Sequence, residues 1–301
     1  MSKFLKVLFF SMACSIVLFG CSGESDNVNT ETPSETPQQN QSEVNYENES
    51  SNKTEEEIID LNDEFGGING CMVLYNPLED RYYFYNEEMA KEEVSPYSTF
   101  KIVSTLAGLN NGVIKDKTST MNYSGVQYPN PEWNANLTLE EAFQTSCIWY
   151  FRQVIDSVGY TEMQNEINEL DYGNKDLSEW EGSNINSYEE LNGFWLSSSL
   201  KISPFEQTKI LSQIFEGKSI YSSQNIEILK EIMLIQNEES QKIYGKTGSG
   251  SNGEAWFVGF MEEAGQRIYF STYLSDSSKS KEISGNMAKE ITLNVVTSRT
   301  W

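Results

Sequence analysis

A serine and a lysine stand three residues apart in Ser98-Thr99-Phe100-Lys101, a spacing that puts a hydroxyl and an amine on one face of a helix. The chain of 301 residues contains no histidine, so a serine nucleophile must find its base elsewhere, and a Ser-His-Asp triad is excluded. A lysine can be that base only when its amine is neutral. That means lowering its pKa from about 10.4 by about three units, roughly 4 kcal/mol of selective destabilisation of the cation. Burial supplies an effect of that size. Lys246-Thr247-Gly248 adds a second cation and a hydroxyl, with a glycine that admits close approach of a substrate. Between the two lies Ser146, just ahead of the apolar run Ile148, Trp149, Phe151, Val154 and Ile155. Taken singly, each is unspecific: Ser-x-x-Lys arises by chance, Lys-Thr-Gly suits a strand end, and a serine caps a helix. The order Ser-x-x-Lys, Ser-x-hydrophobe, Lys-Thr-Gly is specific.

Periodicity indicates which elements hold these residues. Phe100, Ile102, Val103, Leu106, Ala107 and Leu109 cover most of the circumference of a helix that starts at Ser98 and ends at Asn110-Asn111-Gly112. That helix is buried, and an ammonium at Lys101 is costly there. Upstream, Ile58, Ile59, Leu61 and Phe65 recur at helical intervals behind a run of glutamates, predicting a first helix over Lys53 to Phe65. Cys71–Tyr75 and Arg81–Tyr85 flank turn residues and predict a hairpin. Thr138-Leu139-Glu140-Glu141 and Ser203-Pro204-Phe205-Glu206 read as capping boxes, the second with proline at the first helical position. Further helices are predicted over Ser146–Val158, Thr161–Leu170, Gln224–Ile235 and Asn286–Val296. Ile243–Gly248, Ala255–Phe260 and Arg267–Leu274 form a three-strand meander. Strands at both ends of a helical middle predict an α/β (α+β) fold. Its antiparallel sheet (about 55–97 and 239–301) is flanked by helices, with a helical subdomain (about 98–238) inserted.

These motifs give the chain a specific resemblance to the class D, oxacillinase-type serine β-lactamases. It is carried by Tyr97-Ser98-Thr99-Phe100-Lys101, Trp133 with Thr138-Leu139-Glu140-Glu141-Ala142, and Ser146-Cys147-Ile148-Trp149-Tyr150-Phe151. Tyr172-Gly173-Asn174, Phe194-Trp195-Leu196 with Leu200-Lys201-Ile202-Ser203, and Lys246-Thr247-Gly248 with Trp256-Phe257-Val258-Gly259 continue it in order, so that it spans about Ile58 to Val296. The resemblance implies the penicillin-recognising serine transferase fold and hydrolysis of β-lactam antibiotics. Ser98 is then the nucleophile. Lys101, carboxylated by CO2 to N6-carboxylysine, is the general base of acylation and deacylation. The Trp195 indole donates to the carbamate, while Phe100 and Ile148 line its pocket. Ser146 relays a proton to the lactam nitrogen, Lys246 supplies positive potential, and Thr247 binds the substrate carboxylate beside Gly248. The amides of Ser98 and Ser249 hold the oxyanion. Beyond CO2 or bicarbonate no cofactor and no metal are implied.

Three positions depart from the family pattern. Ile148 stands where valine is usual, one methylene tighter. The loop from Tyr172 to Trp195 is longer than usual. No arginine lies between Tyr273 and Asn286 to meet the substrate carboxylate, which leaves Thr247, Ser249 or a lysine such as Lys279 for that contact. The same motifs also serve β-lactam sensors that retain the acyl group and peptidoglycan DD-peptidases. A sensor's cytoplasmic zinc protease requires His-Glu-x-x-His, which a chain without histidine does not contain. A non-catalytic binding lipoprotein is the remaining alternative, opposed by the intact set of Ser98, Lys101, Ser146, Trp195 and Lys246.

The rest of the chain speaks to location. Residues 1–20 read as a signal peptide, with Lys3 and Lys6 ahead of an apolar stretch too short to span as a permanent helix. Leu18-Phe19-Gly20-Cys21 resembles a lipobox, so Cys21 is the expected lipidated residue and the domain is expected outside the cytoplasm, lipid-anchored or partly released. Residues 21–54 are polar and acidic, a tether that cannot bury enough apolar surface to order itself, leaving 55–301 as the folded domain. The net charge of −24 argues against nucleic acid as a partner. Small-molecule β-lactams, the membrane anchor and a monomeric state are the expectations. Of four cysteines, Cys71 and Cys147 fall in the domain, and their apolar settings predict two buried free thiols.

Overall fold

The computed structural model describes residues 54–279, 283–299 and 301. The expected leader, the expected lipidation site Cys21 and the expected tether up to Lys53 lie outside these residues. The scaffold is one seven-stranded sheet in the order β1-β3-β2-β7-β6-β5-β4. Its strands are β1 (Glu55–Ile58), β2 (Gly70–Asn76), β3 (Arg81–Tyr85), β4 (Leu234–Asn237), β5 (Gln241–Ser249), β6 (Glu254–Glu263) and β7 (Gln266–Ser275). The hairpin and the meander meet where β2 pairs antiparallel with β7, Cys71 opposite Tyr273.

Three expectations are corrected here. Residues 55–58 form an edge strand, not a helix, and pair parallel to β3, which makes the sheet mixed rather than antiparallel. Only Asn62–Phe65 is helical there (α1). The apolar period was misleading because Ile58 is exposed; cross-strand charge pairing of Glu55 with Arg81 at 2.5 Å accompanies the strand instead. At the other edge, the helix expected to reach Ile235 stops at Met233, and Leu234 turns into β4 against Tyr244.

The remaining helices are α2 (Glu87–Ala90), α3 (Lys101–Asn110), α4 (Leu139–Gln144), α5 (Ile148–Val158), α6 (Tyr160–Glu169), α7 (Pro204–Phe215), α8 (Ser223–Met233) and α9 (Gly285–Ser298). Both capping boxes form: Thr138 and Glu141 close α4, and Ser203 and Glu206 close α7. The period of two along β6 separates two cores. Trp256, Val258 and Phe260 join the large core made with the helical layer. Ala255, Phe257 and Met261 face the smaller core, which α9 covers with Ala288, Ile291, Val295 and Val296. Cys71 and Cys147 are both buried and free.

Candidate active site

Ser98 does not open an α-helix directly. It lies in one tight 3-10 turn, Tyr97–Phe100, and α3 begins at Lys101. The turn is entered through Tyr97 at φ 49°, a left-handed conformation disfavoured for a residue with a Cβ. The segment before it is pinned from two sides: the Trp256 indole donates to Ser95 O at 3.0 Å, and Lys201 Nζ donates to Ser95 Oγ at 2.7 Å. Behind it, Thr99 Oγ1 donates to Pro96 O at 2.6 Å and accepts from Gln207 Nε2 at 2.7 Å. Ser98 thus sits on a backbone fixed by β6 and α7.

From this turn Lys101 reaches back, its Nζ donating to Ser98 Oγ at 2.9 Å. The lysine is 1% exposed, and its amine lies over the Phe151 ring, 5.4 Å from the centroid. Burial pushes its pKa down to about 7, with the nearby Cys147 thiol pulling weakly the other way. Phe100, which precedes it, is enclosed by aromatic rings: Tyr172 and Phe194 meet it edge-on, and Trp195 stacks on it at 6.1 Å. Ile148 is half-buried in the first turn of α5.

Ser146 stands two residues before that helix, at φ 56°, and Cys147 rather than Ser146 occupies the N-cap position. The freed hydroxyl accepts from Lys246 Nζ at 2.5 Å. Lys246 is itself buried on β5, donates to Thr247 O at 3.0 Å, and lies over the Phe143 ring. Burial, and secondarily the positive field of Lys101, hold its pKa well below the ordinary lysine value. Two serine–lysine pairs are thereby joined at residues far apart in sequence. Thr247 and Ser249 finish the same strand beside the start of α9, where the Gly285 amide donates to Ser249 Oγ at 3.0 Å. A Cβ at Gly285 would come within 2.7 Å of Thr247 Cβ, so glycine is what lets α9 approach. Gly248 packs against Thr99 and Trp256, closing the strand onto the turn that carries Ser98. The side chain of Lys279 lies outside the described residues.

The long loop that carries Trp195 is held by residues the sequence reading passed over. Arg152 on α5 is buried and donates to Asp156 at 2.8 Å, Glu181 at 2.6 Å and the carbonyls of Trp180 and Asn192 at 3.1 and 3.4 Å. The Asn192 side chain bonds the backbone of Asn186 and Tyr188 in turn. Gly193 forms the floor beneath Trp195: a Cβ there would lie 2.1 Å from the indole ring. Tyr172-Gly173-Asn174 anchors the loop's other end, with Gly173 pressed on Lys201 O and Asn174 bonding Lys201 and Ser199. The one available signal for Arg152 was a charged residue inside an otherwise apolar helical run.

Comparisons with known proteins place the chain in a family. Residues 31–294 match the family model of the penicillin binding protein transpeptidase domain. The regulatory protein BlaR1 of Staphylococcus aureus is 35% identical over 243 residues, 78% of this chain and 40% of that protein, so the chain spans about two fifths of its length. A crystal structure of class D β-lactamase from Bacillus subtilis superposes with a TM-score of 0.71 at 31% identity, covering 79% of this chain and 94% of that one. The C-terminal domain of the Bacillus licheniformis BlaR penicillin-receptor gives 0.72 at 28% identity, covering 81% and 96%. The chain belongs to the penicillin-binding transpeptidase family and, within it, to the class D serine β-lactamase-like proteins.

Proposed function

We propose that the protein hydrolyses β-lactams through a serine acyl-enzyme, with Lys101 carboxylated on its amine as general base. One observation carries the reading: Lys101 Nζ lies 2.9 Å from Ser98 Oγ in a buried setting that brings its pKa down to about 7. An amine neutral at that pH attacks dissolved CO2; an N–C bond forms, one N–H proton leaves to solvent, and a carbamate anion replaces the amine. The carbamate takes the Ser98 proton as Oγ attacks the lactam carbonyl and hands it on to replace the one that Lys246 and Ser146 supply to the lactam nitrogen; again an anion, it takes a proton from the water that attacks the acyl carbon and returns it to Ser98 Oγ as the acyl–oxygen bond breaks. Ser146 passes a proton to the lactam nitrogen as its C–N bond breaks, drawing on Lys246 at 2.5 Å. The carbamate anion formed at Lys101 also favours the charged form of Lys246, because it attracts a neighbouring cation.

The roles of the surrounding residues follow. The Trp195 indole donates to the carbamate, and Phe100 and Ile148 line its pocket. The amides of Ser98 and Ser249 receive the oxyanion; the Ser98 amide belongs to a first helical turn, where amides have no intrahelical partner. The substrate carboxylate falls to the hydroxyls of Thr247 and Ser249 and to Lys289. That lysine, with Lys246 and Thr247, lines a cavity of about 210 Å³ beside β5, next to Leu234 and Ile235 of β4. The domain acts outside the cytoplasm on a lipid anchor at Cys21.

A second reading, a β-lactam receptor that keeps its acyl group, is favoured by the 35% identity with BlaR1. The two separate when purified protein is mixed with a chromogenic cephalosporin and with labelled penicillin. Sustained hydrolysis supports the β-lactamase. A stoichiometric burst that leaves a long-lived acyl-enzyme overturns it in favour of the receptor.

A further inference from the structure

Three residues with no part in the chemistry above converge beside the nucleophile turn. Tyr97 Oη lies 2.8 Å from Ser197 Oγ and donates to Glu254 Oε2 at 2.5 Å. The other carboxylate oxygen accepts from Tyr273 Oη at 3.1 Å. Tyr97 is buried, and its amide donates to Trp195 O at 3.0 Å. Gly250, in the turn after β5, leaves room for the group. A Cβ there would stand 2.6 Å from the Tyr97 ring and 2.9 Å from Glu254 Oε2, and the Gly250 amide itself bonds Glu254 O at 2.8 Å.

What these contacts join gives them a role. Tyr97 precedes Ser98, Ser197 follows Trp195 by two residues, and Glu254 starts the strand paired to the one carrying Lys246. Tyr97 and Ser197 both hold left-handed backbone, at φ 49° and φ 50°. Such conformations persist where surrounding contacts over-determine them, and they concentrate at functional sites. Here two disfavoured turns meet at the Tyr97 hydroxyl, which one carboxylate ties to the sheet.

We propose that Tyr97, Ser197 and Glu254 form a positioning clamp that locks the nucleophile turn and the Trp195 loop to the sheet, with the Tyr97 hydroxyl as its hub and Glu254 as its anchor on β6. The clamp rests on the acyl-transfer reading of Ser98 but not on whether the acyl group is then hydrolysed. It acts through Ser98 and Trp195 and touches no reacting atom. Releasing it leaves the fold in place and lets both loops drift. Misplacement of catalytic groups by about 1 Å costs up to about 100-fold in rate.

The test uses Glu254→Gln and Tyr97→Phe in the folded domain, with thermal unfolding measured alongside. The rate of Ser98 acylation by a fluorescent penicillin is expected to fall about 10-fold or more in each variant. The double variant falls little further, because the two groups act as a unit. The bicarbonate concentration that gives half-maximal activity is expected to rise, since the Trp195 loop is loosened, while Tm shifts by only a few degrees. Wild-type acylation rates and bicarbonate response in both variants overturn the clamp. So does a loss that merely tracks the fraction of protein unfolded. Acylation is measurable in a hydrolase and in a receptor alike, so failure of the hydrolytic reading leaves this result interpretable.

Discussion

Two parts of the molecule bury positive charge, and they do so in opposite ways. Arg152 is surrounded by acceptors: two carboxylates and two backbone carbonyls meet its guanidinium. Lys101 and Lys246 have no carboxylate partner among the described residues; their neighbours are serine hydroxyls, aromatic rings and each other. A guanidinium that cannot lose its proton must be solvated by the protein, and it organises a loop in return. An amine can lose its proton, and the absence of acid partners ensures that it does. The same apolar helix, α5, provides Arg152 for one site and Phe151 for the other. Partnered charge is structural here, and unpartnered charge is chemical.

Lys101→Met breaks the contrast most sharply. Removal of the proposed base is expected to lower turnover by more than about 1,000-fold, read with a chromogenic cephalosporin. Stability is expected to move the other way. A lysine pKa lowered from 10.5 to about 7 on folding means that the unfolded chain binds more protons throughout that window. Its contribution to stability therefore rises with pH between those values, and at pH 7 the buried amine costs about 4–5 kcal/mol. Methionine removes that cost at similar volume, so Tm at pH 7 is expected to rise and its climb between pH 7 and 10 to flatten.

Gly193→Ala comes next. The added methyl has no room against the indole, so Trp195 is displaced, and turnover is expected to fall about 100-fold with a smaller loss of stability. Arg152→Met tests the structural site. It leaves the carbonyls of Trp180 and Asn192 without their donor, at about 1–3 kcal/mol each, while Asp156 and Glu181 stay in water. Urea unfolding should show that loss, with turnover reduced about 10-fold through the Trp195 loop. The smallest effect is expected of Lys289→Ala: a KM for penicillin raised about 3- to 10-fold with kcat nearly unchanged, a difference that salt diminishes.

The serine–lysine pair was legible in the sequence because it is local: three residues on one turn bring the groups together whatever the rest of the chain does. Ser146 and Lys246, 100 residues apart, were legible only through the order of their motifs. The meander and both capping boxes were plain, since their signals repeat within a few residues. The strand β1 was hidden because its stabilising partner Arg81 lies 26 residues away and its outward Ile58 mimics a helical stripe. Arg152 was hidden for a related reason: its partners sit in a polar loop whose path no periodicity describes. Phe151 reads as an ordinary core aromatic until Lys101 is placed over it.

The central claim is that Lys101 is held as a neutral amine beside Ser98 and is carboxylated there. Carbon-13 NMR of the protein in 13C-bicarbonate tests it most directly. One carbamate signal per chain is expected, absent from Lys101→Met and lost as the pH falls through about 7, with turnover lost in parallel and restored by added bicarbonate. Full hydrolytic activity with no carbamate signal, or a rate indifferent to both bicarbonate and pH between 6 and 9, contradicts it.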